Sequence, residues 1–239
     1  MGKVTVIISA KGGSGGSFTA AGLGMSLAKR GKSVLVVDCG FGMRETDLML
    51  GVSDRIVFDV GDVLGGGCSV KNAVCPSEFS DGLYVMPAAQ ENISVSAERF
   101  RQLLDTLSDN YEYVIADCHA GELAYGLSRH FQTVIVTQAE PLSVRCGNKV
   151  FLECRECGAK NMRTIINRFS EKDFFSSECF ADLDEVIDKI GARLLGIVPE
   201  DGILNSAFQK GVPLKEKSKA VYALDRIAAR IDGIDMPLF

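Results

Sequence analysis

The sequence predicts an α/β protein built on a doubly wound, mostly parallel sheet of about seven strands flanked by helices. Two observations support this fold class. Short runs rich in Val and Ile alternate with helix-sized segments along the whole chain, which is the order that right-handed βαβ units require. Most of these runs also lack a strict alternation of apolar and polar residues, as expected for parallel strands that helices cover on both faces.

Seven strands and six helices are predicted from these patterns. The predicted strands are residues 4–9, 33–38, 83–87, 113–117, 133–137, 162–168 and 194–198. The predicted helices are residues 17–30, 96–107, 122–129, 143–157, 181–190 and 217–231. Because ligands bind at the carboxyl ends of the strands in doubly wound sheets, a functional site is expected in the loops that follow the strands.

Length and composition fit one domain that spans residues 1–239. Hydrophobic residues make up 46% of the chain, and it has 25 glycines but only 6 prolines, which is ordinary for a soluble α/β domain. The first strand begins at Val4, so no signal peptide is expected, and no apolar run is long enough for a membrane span. We therefore expect a cytoplasmic protein. The net charge of −5 gives no overall preference for nucleic acid.

The eight cysteines stand at unpatterned spacings, which favours reduced cytosolic thiols over a disulfide framework. Cys154 and Cys157 form a lone C-x-x-C. This spacing is a weak signal for zinc because it has no second pair and no neighbouring histidine.

The first predicted strand leads through a glycine-rich loop into the first predicted helix. The loop reads Lys11-Gly12-Gly13-Ser14-Gly15-Gly16-Ser17, and Phe18 follows it. Glycines let the backbone approach an anion closely, and bare N–H groups and the positive end of the helix dipole attract phosphate. Lys11 to Phe18 are therefore the predicted phosphate-binding residues. The alternative is a generic glycine-rich turn between a strand and a helix.

The loop departs from an ordinary P-loop, G-x-x-x-x-G-K-[ST], because Ala10 replaces the first glycine and Gly16 replaces the lysine. Only the final hydroxyl residue, Ser17, matches. The loop instead resembles the deviant Walker A box, K-G-G-x-G-K-[ST], of the MinD/ParA family of dimerising ATPases, which have a three-layer P-loop NTPase fold. In that family the early lysine reaches the phosphates of the neighbouring subunit, so the resemblance implies a catalytic and phosphate-binding role for Lys11.

The stretch after the second predicted strand resembles the switch I region of MinD. Residues 36–51 are similar to the family pattern in which D-x-D is followed by G-[LM]-R-x-x-D-L-x-[LM]-G. Asp38 matches the first aspartate and is a candidate catalytic residue. The second aspartate, which in the family orients the attacking water near the metal, is replaced by Gly40.

Residues 113–117 resemble the family's Walker B strand, which leads into switch II. The resemblance implies that Ser17 and Asp117 hold Mg²⁺, directly or through water, and that Asp117 is catalytic. The family usually has D-x-P-A-G here, and His119 replaces the proline. His119 is either a general base, since imidazole titrates near neutral pH, or a loop histidine without chemistry.

Two later strand ends resemble the family's base-binding segments. Asn167 and Arg168 match a strand-end N-R whose asparagine contacts adenine. Pro199, Glu200 and Asp201 match the P-E-D of a segment that packs along the base. The resemblance thus implies that these five residues bind the nucleoside part of ATP, and the matching segments together cover nearly the whole chain.

The resemblance implies ATP and Mg²⁺ as cofactors, whereas Gly16 and Gly40 remove two parts of the ATPase machinery. A cation at the P-loop lysine position stabilises the phosphates and the transition state, and its loss lowers the rate about a hundredfold or more. We therefore expect an ATP-binding protein with weak or no hydrolysis. It would act in spatial positioning or assembly, of the cell-division, pilus or partition type.

Three alternatives stay open from the sequence. The first is a slow, active ATPase in which Lys11 compensates for the missing lysine. The second is a nucleotide-free dimeric scaffold. The third, the nitrogenase iron-protein branch of the same fold, requires cluster cysteines at fixed positions, and Cys118 and Cys146 lie near that region without its surrounding motif.

The resemblance also implies partners, namely a homodimer that sandwiches nucleotide and a further protein in positioning or assembly. Residues 137–145 resemble the segment T-x-P-E-x-x-S-V-R-D, which in relatives lies near the dimer and partner face, although Ala139 replaces the proline and Cys146 replaces the final acid. MinD proper ends in a basic amphipathic membrane helix. We expect no direct membrane anchor here, because Met236, Leu238 and Phe239 after the last predicted helix are too few.

A group of basic residues lies in and before the last predicted helix, and ParA-type relatives use a basic surface near there for nonspecific DNA contact. The group consists of Lys215, Lys217, Lys219, Arg226 and Arg230. A solvated helix face is the simpler interpretation, and DNA contact is the alternative.

Overall fold

The computed structural model describes residues 1–213 and 218–238. Its strands are β1 Lys3–Ser9, β2 Val34–Asp38, β3 Cys75–Pro76, β4 Leu83–Met86, β5 Tyr113–His119, β6 Gln132–Thr137, β7 Met162–Phe169 and β8 Arg193–Pro199. Its α-helices are α1 Gly16–Lys29, α2 Thr46–Met49, α3 Val60–Gly65, α4 Ala97–Ser108, α5 Glu122–Ser128, α6 Pro141–Glu156, α7 Glu171–Ser177, α8 Leu183–Ile190, α9 Gly202–Gln209 and α10 Lys219–Asp232.

The strands form one sheet in the order β3-β4-β2-β5-β1-β6-β7-β8. Neighbouring strands are parallel except β3 and β4, which are antiparallel. The register pairs Ser9 of β1 with His119 of β5 on one side and with Val136 of β6 on the other. Asp38 of β2 pairs with Asp117 of β5. The strand ends that carry the sequence motifs therefore meet at one edge of the sheet, which we call the carboxyl edge.

The sheet separates two hydrophobic cores, and adjacent residues of β1 point into opposite ones. Val6 and Ile8 pack into a core that includes α4, α5, α6 and α8, whereas Ile7 packs into a core that includes α1, α9 and α10. Burial of six of the seven β1 residues explains the unbroken apolar pattern of this strand. The protein is thus a three-layer α/β structure, and the predicted fold class is confirmed.

Close packing of α1 fixes the direction from which the glycine-rich loop approaches the sheet. A Cβ at Gly22 would lie 2.6 Å from a methyl carbon of Leu224 in α10, and one at Gly24 would lie 2.7 Å from a methyl carbon of Val36 in β2. The two glycines therefore let α1 lie against both neighbours without displacing them. The helix N-terminus is held at the carboxyl edge as a result.

Every predicted strand and helix has a counterpart, and five short elements were missed. These are β3, α2, α3, α7 and α9. The predicted helix at 143–157 begins earlier, because Pro141 occupies its first turn, where proline costs no hydrogen bond. The predicted start of the last helix at residue 217 lies outside the described residues, and the helix they form starts at Lys219 after the N-cap Ser218.

None of the helices formed by residues 1–213 and 218–238 combines the length and the apolar character needed to cross a membrane.

Candidate nucleotide site

The glycine-rich loop between β1 and α1 is fixed by hydrogen bonds within it and to β6. The Ala10 N–H donates to the Val136 carbonyl over 2.9 Å. The Lys11 N–H donates to the Ser14 hydroxyl over 3.2 Å, and the Ser14 N–H returns a bond to the Lys11 carbonyl over 3.1 Å. The loop is therefore closed on itself, and its next N–H groups stand at the N-terminus of a 14-residue helix, where anions bind.

Asn167 at the end of β7 secures the far side of the loop. Its Nδ2 donates to the Ser14 carbonyl over 2.9 Å. Gly15 has φ +86°, and a Cβ there would lie 2.1 Å from the same Nδ2, so only glycine fits. The amide oxygen of Asn167 is buried and has no hydrogen-bond partner among the described residues. A buried acceptor of this kind is costly unless a ligand completes it.

A cavity of about 700 Å³ opens beside the loop, and most of the predicted binding residues line it. Those in the wall are Gly12, Gly13, Gly15, Gly16, Ser17, Phe18, Asn167, Arg168, Pro199, Glu200 and Asp201. Lys11 and Ser14 are outside the wall, and so are Asp38 and Asp117. Ser14 is fully buried and shapes the loop from behind. The part of Lys11 in a neighbouring subunit stays a prediction.

Gly16, at the position of the missing lysine, is packed against Ser9. A Cβ at residue 16 would lie 2.0 Å from the Ser9 hydroxyl oxygen and 3.1 Å from the Ser9 Cβ. The Ser9 hydroxyl thus fills the space that the stem of a longer side chain would need. Rotation about χ1 of Ser9 would remove the contact with the hydroxyl, whereas the contact with the Ser9 Cβ would remain and require a small displacement.

Asp38, the candidate catalytic residue of β2, holds the segment that follows its own strand. Its Oδ1 accepts the Gly40 N–H over 2.8 Å, and its Oδ2 accepts the N–H groups of Glu45 and Thr46 over 3.0 and 3.1 Å. The Thr46 hydroxyl donates to Oδ2 over 3.0 Å. With four donors engaged, this buried carboxylate sets the path of residues 40–46.

Asp117 lies beside Asp38 on the neighbouring strand and is also buried. Burial raises the pKa of Asp117 well above its ordinary value, the nearby Asp38 carboxylate raises it further, and a hydrogen bond from Ser17 opposes the shift. A carboxyl group in this state favours an added cation, because a cation offsets the cost of its charge. Ser17 and Asp117 together form an oxygen pair that suits Mg²⁺.

The end of the cavity near β7 and β8 is built from the predicted base-binding residues. Arg168 makes a bidentate ion pair with Glu200, with N···O distances of 2.7 and 3.3 Å. Asp201 caps α9 by accepting the N–H groups of Ile203 and Leu204, and it also accepts from Ser218 and Ala220. These bonds link the ends of β7 and β8 to each other and to the starts of α9 and α10.

Several cavity residues were not among the predicted binding residues. They are Ser9, Met43, Arg44, Glu45, Leu48, Met49, His119, Asn205, Phe208 and Gln209. Phe208 in α9 packs edge-on against Phe18, with ring centroids 5.0 Å apart. The capping aspartate Asp201, followed by an apolar pattern at helical spacing, was a usable signal for α9. Met43, Arg44 and Leu48 match the switch I pattern, but that resemblance did not place them in the binding site, which they reach because bonds from Gly40, Glu45 and Thr46 to Asp38 fold this segment toward the cavity.

The cysteines weighed for metal do not assemble a cluster. Among residues 1–213 and 218–238, no three His, Cys, Asp or Glu side chains are grouped as a metal site. Cys154 is buried whereas Cys157 is exposed. Cys118 is buried in the core at the end of β5, and Cys146 lies on α6.

Of the basic residues near the C-terminal helix, Lys215 and Lys217 lie outside the described residues, as does Phe239 of the proposed tail. Arg230 has a structural role. Its guanidinium donates to the carbonyls of Leu195, Met236 and Pro237, so it ties the following segment to the domain rather than forming part of a free basic surface.

The parallel sheet, the closed glycine-rich loop at its carboxyl edge and the adjoining cavity define a P-loop nucleotide-binding protein of the deviant Walker A type. The family model of the CobQ/CobB/MinD/ParA nucleotide binding domain matches residues 5–214 of this chain. The chain belongs to this family, within its MinD-like group of ATPases that determine the site of cell division.

Individual relatives agree along almost the full length. The chain is 35% identical to the septum site-determining protein MinD of Bacillus subtilis, over 100% of this chain and 92% of that protein. It is similar to MinD in the MinC:MinD cell division protein complex of Aquifex aeolicus, with 30% identity, TM-score 0.90, and coverage of 99% and 98%. It is also similar to Pyrococcus horikoshii MinD complexed with Mg-ADP, with 26% identity, TM-score 0.84, and coverage of 97% and 96%.

Proposed function

We propose that this chain is a MinD-like protein that binds ATP with Mg²⁺, hydrolyses it slowly or not at all, and acts in positioning the cell-division site. The observation that carries the proposal is the cavity of about 700 Å³, which joins the glycine-rich loop to the base end. A volume of this size suits a nucleotide.

Adenine binding is supported by the buried Asn167 amide oxygen, which has no partner among the described residues. An exocyclic amino group supplies the donor that this oxygen needs. Phosphate binding is supported by Gly12 and Gly13, where an added Cβ would have no atom of the described residues within 4 Å apart from its chain neighbours. That open space lets phosphate oxygens approach the backbone N–H groups.

Ser17 and Asp117 are the residues that would hold Mg²⁺. The magnesium ion, when bound, supplies positive charge to the phosphates. Both residues are buried, and Asp117 ends the apolar run of β5 on the strand next to the one that leads into the loop. The Mg-ADP in Pyrococcus horikoshii MinD supports the same assignment, since that chain has the same fold.

Slow or absent hydrolysis is supported by the two missing charges. Gly16 brings no cation to the phosphates, and Gly40 brings no carboxylate to the water. Asp38 cannot readily take the place of a missing carboxylate at residue 40, because four donors already hold it. Each lost charge-stabilising group lowers the rate about a hundredfold or more, although such effects do not simply add.

A role at the division site, with a homodimer and a protein partner, is supported by the MinD relatives and by the MinC:MinD complex of Aquifex aeolicus. The dimer would bring Lys11 of one subunit to the nucleotide of the other. This arrangement fits the position of Lys11 outside the cavity of its own chain.

Calorimetric titration with Mg-ATP, combined with phosphate release measured on the same sample, tests the proposal. We expect binding without measurable turnover, and Lys11→Ala to weaken binding only where the protein dimerises. Turnover that depends on Lys11 would favour the slow ATPase instead. Absence of binding at millimolar Mg-ATP would refute the nucleotide assignment and leave a dimeric scaffold.

A further inference from the structure

The strand order determines which part of a bound nucleotide lies near which strand. Asn167 lies near the carboxyl end of β7, the glycine-rich loop follows β1, and His119 ends β5 on the other side of β1. Neighbouring strands are about 4.8 Å apart, so the cavity runs across the carboxyl edge from β7 through β1 to β5. A nucleotide with its base at Asn167 and its middle phosphate at the loop directs its terminal phosphate toward His119.

Most other charged side chains of the cavity wall are engaged. Arg44 donates to the Ala88 carbonyl over 2.9 Å and pairs with Asp59 over 3.3 Å. Arg168 and Glu200 pair with each other. Glu45 has a carboxyl side chain, which offers phosphate no cation.

His119 is different from these residues. Its side chain is exposed, lines the cavity, and makes no hydrogen bond within the described part of the chain. Its ring carries an N–H that can donate to a phosphate oxygen while neutral.

His119 also lies next to the place where a side chain of residue 40 would begin. A Cβ built on Gly40 would lie only 3.2 Å from the His119 Nε2. The same Cβ would lie 3.1 Å from the Asp38 Oδ1. A side chain at residue 40 and the imidazole in this rotamer would therefore be in tight contact, so the two departures from the related pattern are neighbours in space.

We propose that the His119 Nε2–H donates a hydrogen bond to the terminal phosphate of the bound nucleoside triphosphate, so that His119 distinguishes the triphosphate from the diphosphate. This proposal rests on the nucleotide binding proposed above. It assigns a ligand-contacting role to a residue that replaces a proline in the related pattern. Its effect is on discrimination between ATP and ADP, which does not require turnover.

Dissociation constants for Mg-ATP and Mg-ADP, measured by calorimetry on the full chain, test this role. We expect His119→Ala to weaken ATP binding about tenfold, as for a hydrogen bond to a charged group, and to change ADP binding less than twofold. His119→Pro should behave like His119→Ala. His119→Gln, whose amide can donate from a similar position, should keep most of the ATP preference.

The second histidine of the chain provides a matched control. His130 is exposed and follows α5 at the opposite edge of the sheet, so His130→Ala should leave both dissociation constants unchanged. An unchanged ATP-to-ADP ratio in His119→Ala, in a protein that binds both nucleotides, would overturn the role of His119 alone. A wild-type protein that binds neither nucleotide would refute the proposed function, and the role of His119 with it.

A spectroscopic measurement on unmutated residue 119 covers the case in which its variants fail to fold. With only two histidines, His130→Ala assigns the remaining imidazole signals in a ¹H–¹⁵N spectrum. We expect the His119 Nε2 resonance to shift on addition of Mg-ATP and to remain near its free position with Mg-ADP. Equal shifts with both nucleotides, or none with either, would contradict the proposal.

Discussion

The two ends of the cavity are built in the same way but carry different chemistry. At the phosphate end the Asp38 carboxylate accepts four hydrogen bonds, and at the base end the Asp201 carboxylate also accepts four. The base end keeps every residue of the related pattern. The phosphate end has lost a lysine and a carboxylate and has gained His119. Backbone support is thus present at both ends, whereas the side chains that face the phosphates depart from the related pattern.

The largest effect on nucleotide affinity is expected at Gly15, because Asn167 of the base end packs against the glycine-rich loop there. Gly15→Ala places a Cβ 2.1 Å from the Asn167 Nδ2 and forces alanine to φ +86°. Either the loop or Asn167 must move, so we expect Mg-ATP affinity to fall about a hundredfold or more. Calorimetry measures the loss, and a thermal melt shows whether the fold persists.

Gly65→Ala is the matched control for this substitution. Gly65 ends α3, has no positive φ, and its added Cβ would meet no other described residue within 4 Å outside its own helix turn. The Gly65→Ala variant should bind Mg-ATP with the same affinity as the wild type. If Gly15→Ala bound ATP within threefold of the wild type, the contact between loop and Asn167 would not govern binding.

A lysine at residue 16 should return to the phosphate end the positive charge that the related pattern has there. We expect Gly16→Lys to raise Mg-ATP affinity about tenfold, as for a hydrogen bond between charged groups, once the Ser9 hydroxyl has rotated away. Gly16→Met meets the same Ser9 atoms without bringing a charge. Equal affinities of the two variants in calorimetry would show that packing, and not charge, limits binding.

The support of the base end should depend on pH in a defined direction. Burial raises the pKa of Asp201, but its bonds from Ser218, Leu204, Ala220 and Ile203 outweigh burial and leave the pKa lowered. Since the folded pKa is below the unfolded value of about 3.9, the stabilisation is present above that value and is lost as the pH falls through the folded pKa.

Asp201→Asn should therefore lower the free energy of unfolding at pH 7 by about 1–2 kcal/mol, and the difference should shrink at pH 3. Urea unfolding at both pH values measures this change. Asp54→Asn is the control, because Asp54 is exposed and makes no hydrogen bond or ion pair among the described residues. A difference that stayed constant between the two pH values would contradict the assignment.

The smallest effect is expected at Arg168, whose φ is +54°. Its ion pair with Glu200 is about half exposed, at 51% and 42%, so the pair is worth less than about 1 kcal/mol. Arg168→Ala should lower the free energy of unfolding by less than about 1 kcal/mol. Arg168→Gly should be about 1 kcal/mol more stable than Arg168→Ala, because glycine adopts positive φ at little cost. Chemical denaturation of both variants checks the order.

The sheet and the ends of its strands were predictable because buried parallel strands leave long apolar runs, and motifs follow their carboxyl ends. The missed strand β3 has two residues and forms because it pairs with β4. Two residues are too few to show an alternation of apolar and polar side chains. Helix α2 has four residues and depends on Asp38, eight positions before its first residue Thr46. Short elements of this kind are specified by tertiary bonds, which a local pattern does not contain.

The site shows the same limit. The loop from Lys11 to Phe18 and the base-end residues could be found from their order and spacing. Gly40 and His119 also stood out as separate departures from the related pattern. Their relation became visible only in three dimensions, because the imidazole from β5 lies over the glycine after β2, and 79 positions of sequence separate the two.

The central position of β1 has a consequence for synthesis on the ribosome. Both neighbours of β1 come more than a hundred positions later, since Val4 pairs with Val114 and Val6 with Thr133. At about 5–20 residues per second, this strand waits roughly 5 to 20 seconds for a partner. The N–H of Ala10 gains its acceptor only with Val136. A nascent chain that has not yet reached these partner strands has an apolar β1 without a sheet to pair with. Such a chain is prone to aggregation before its nucleotide site has formed.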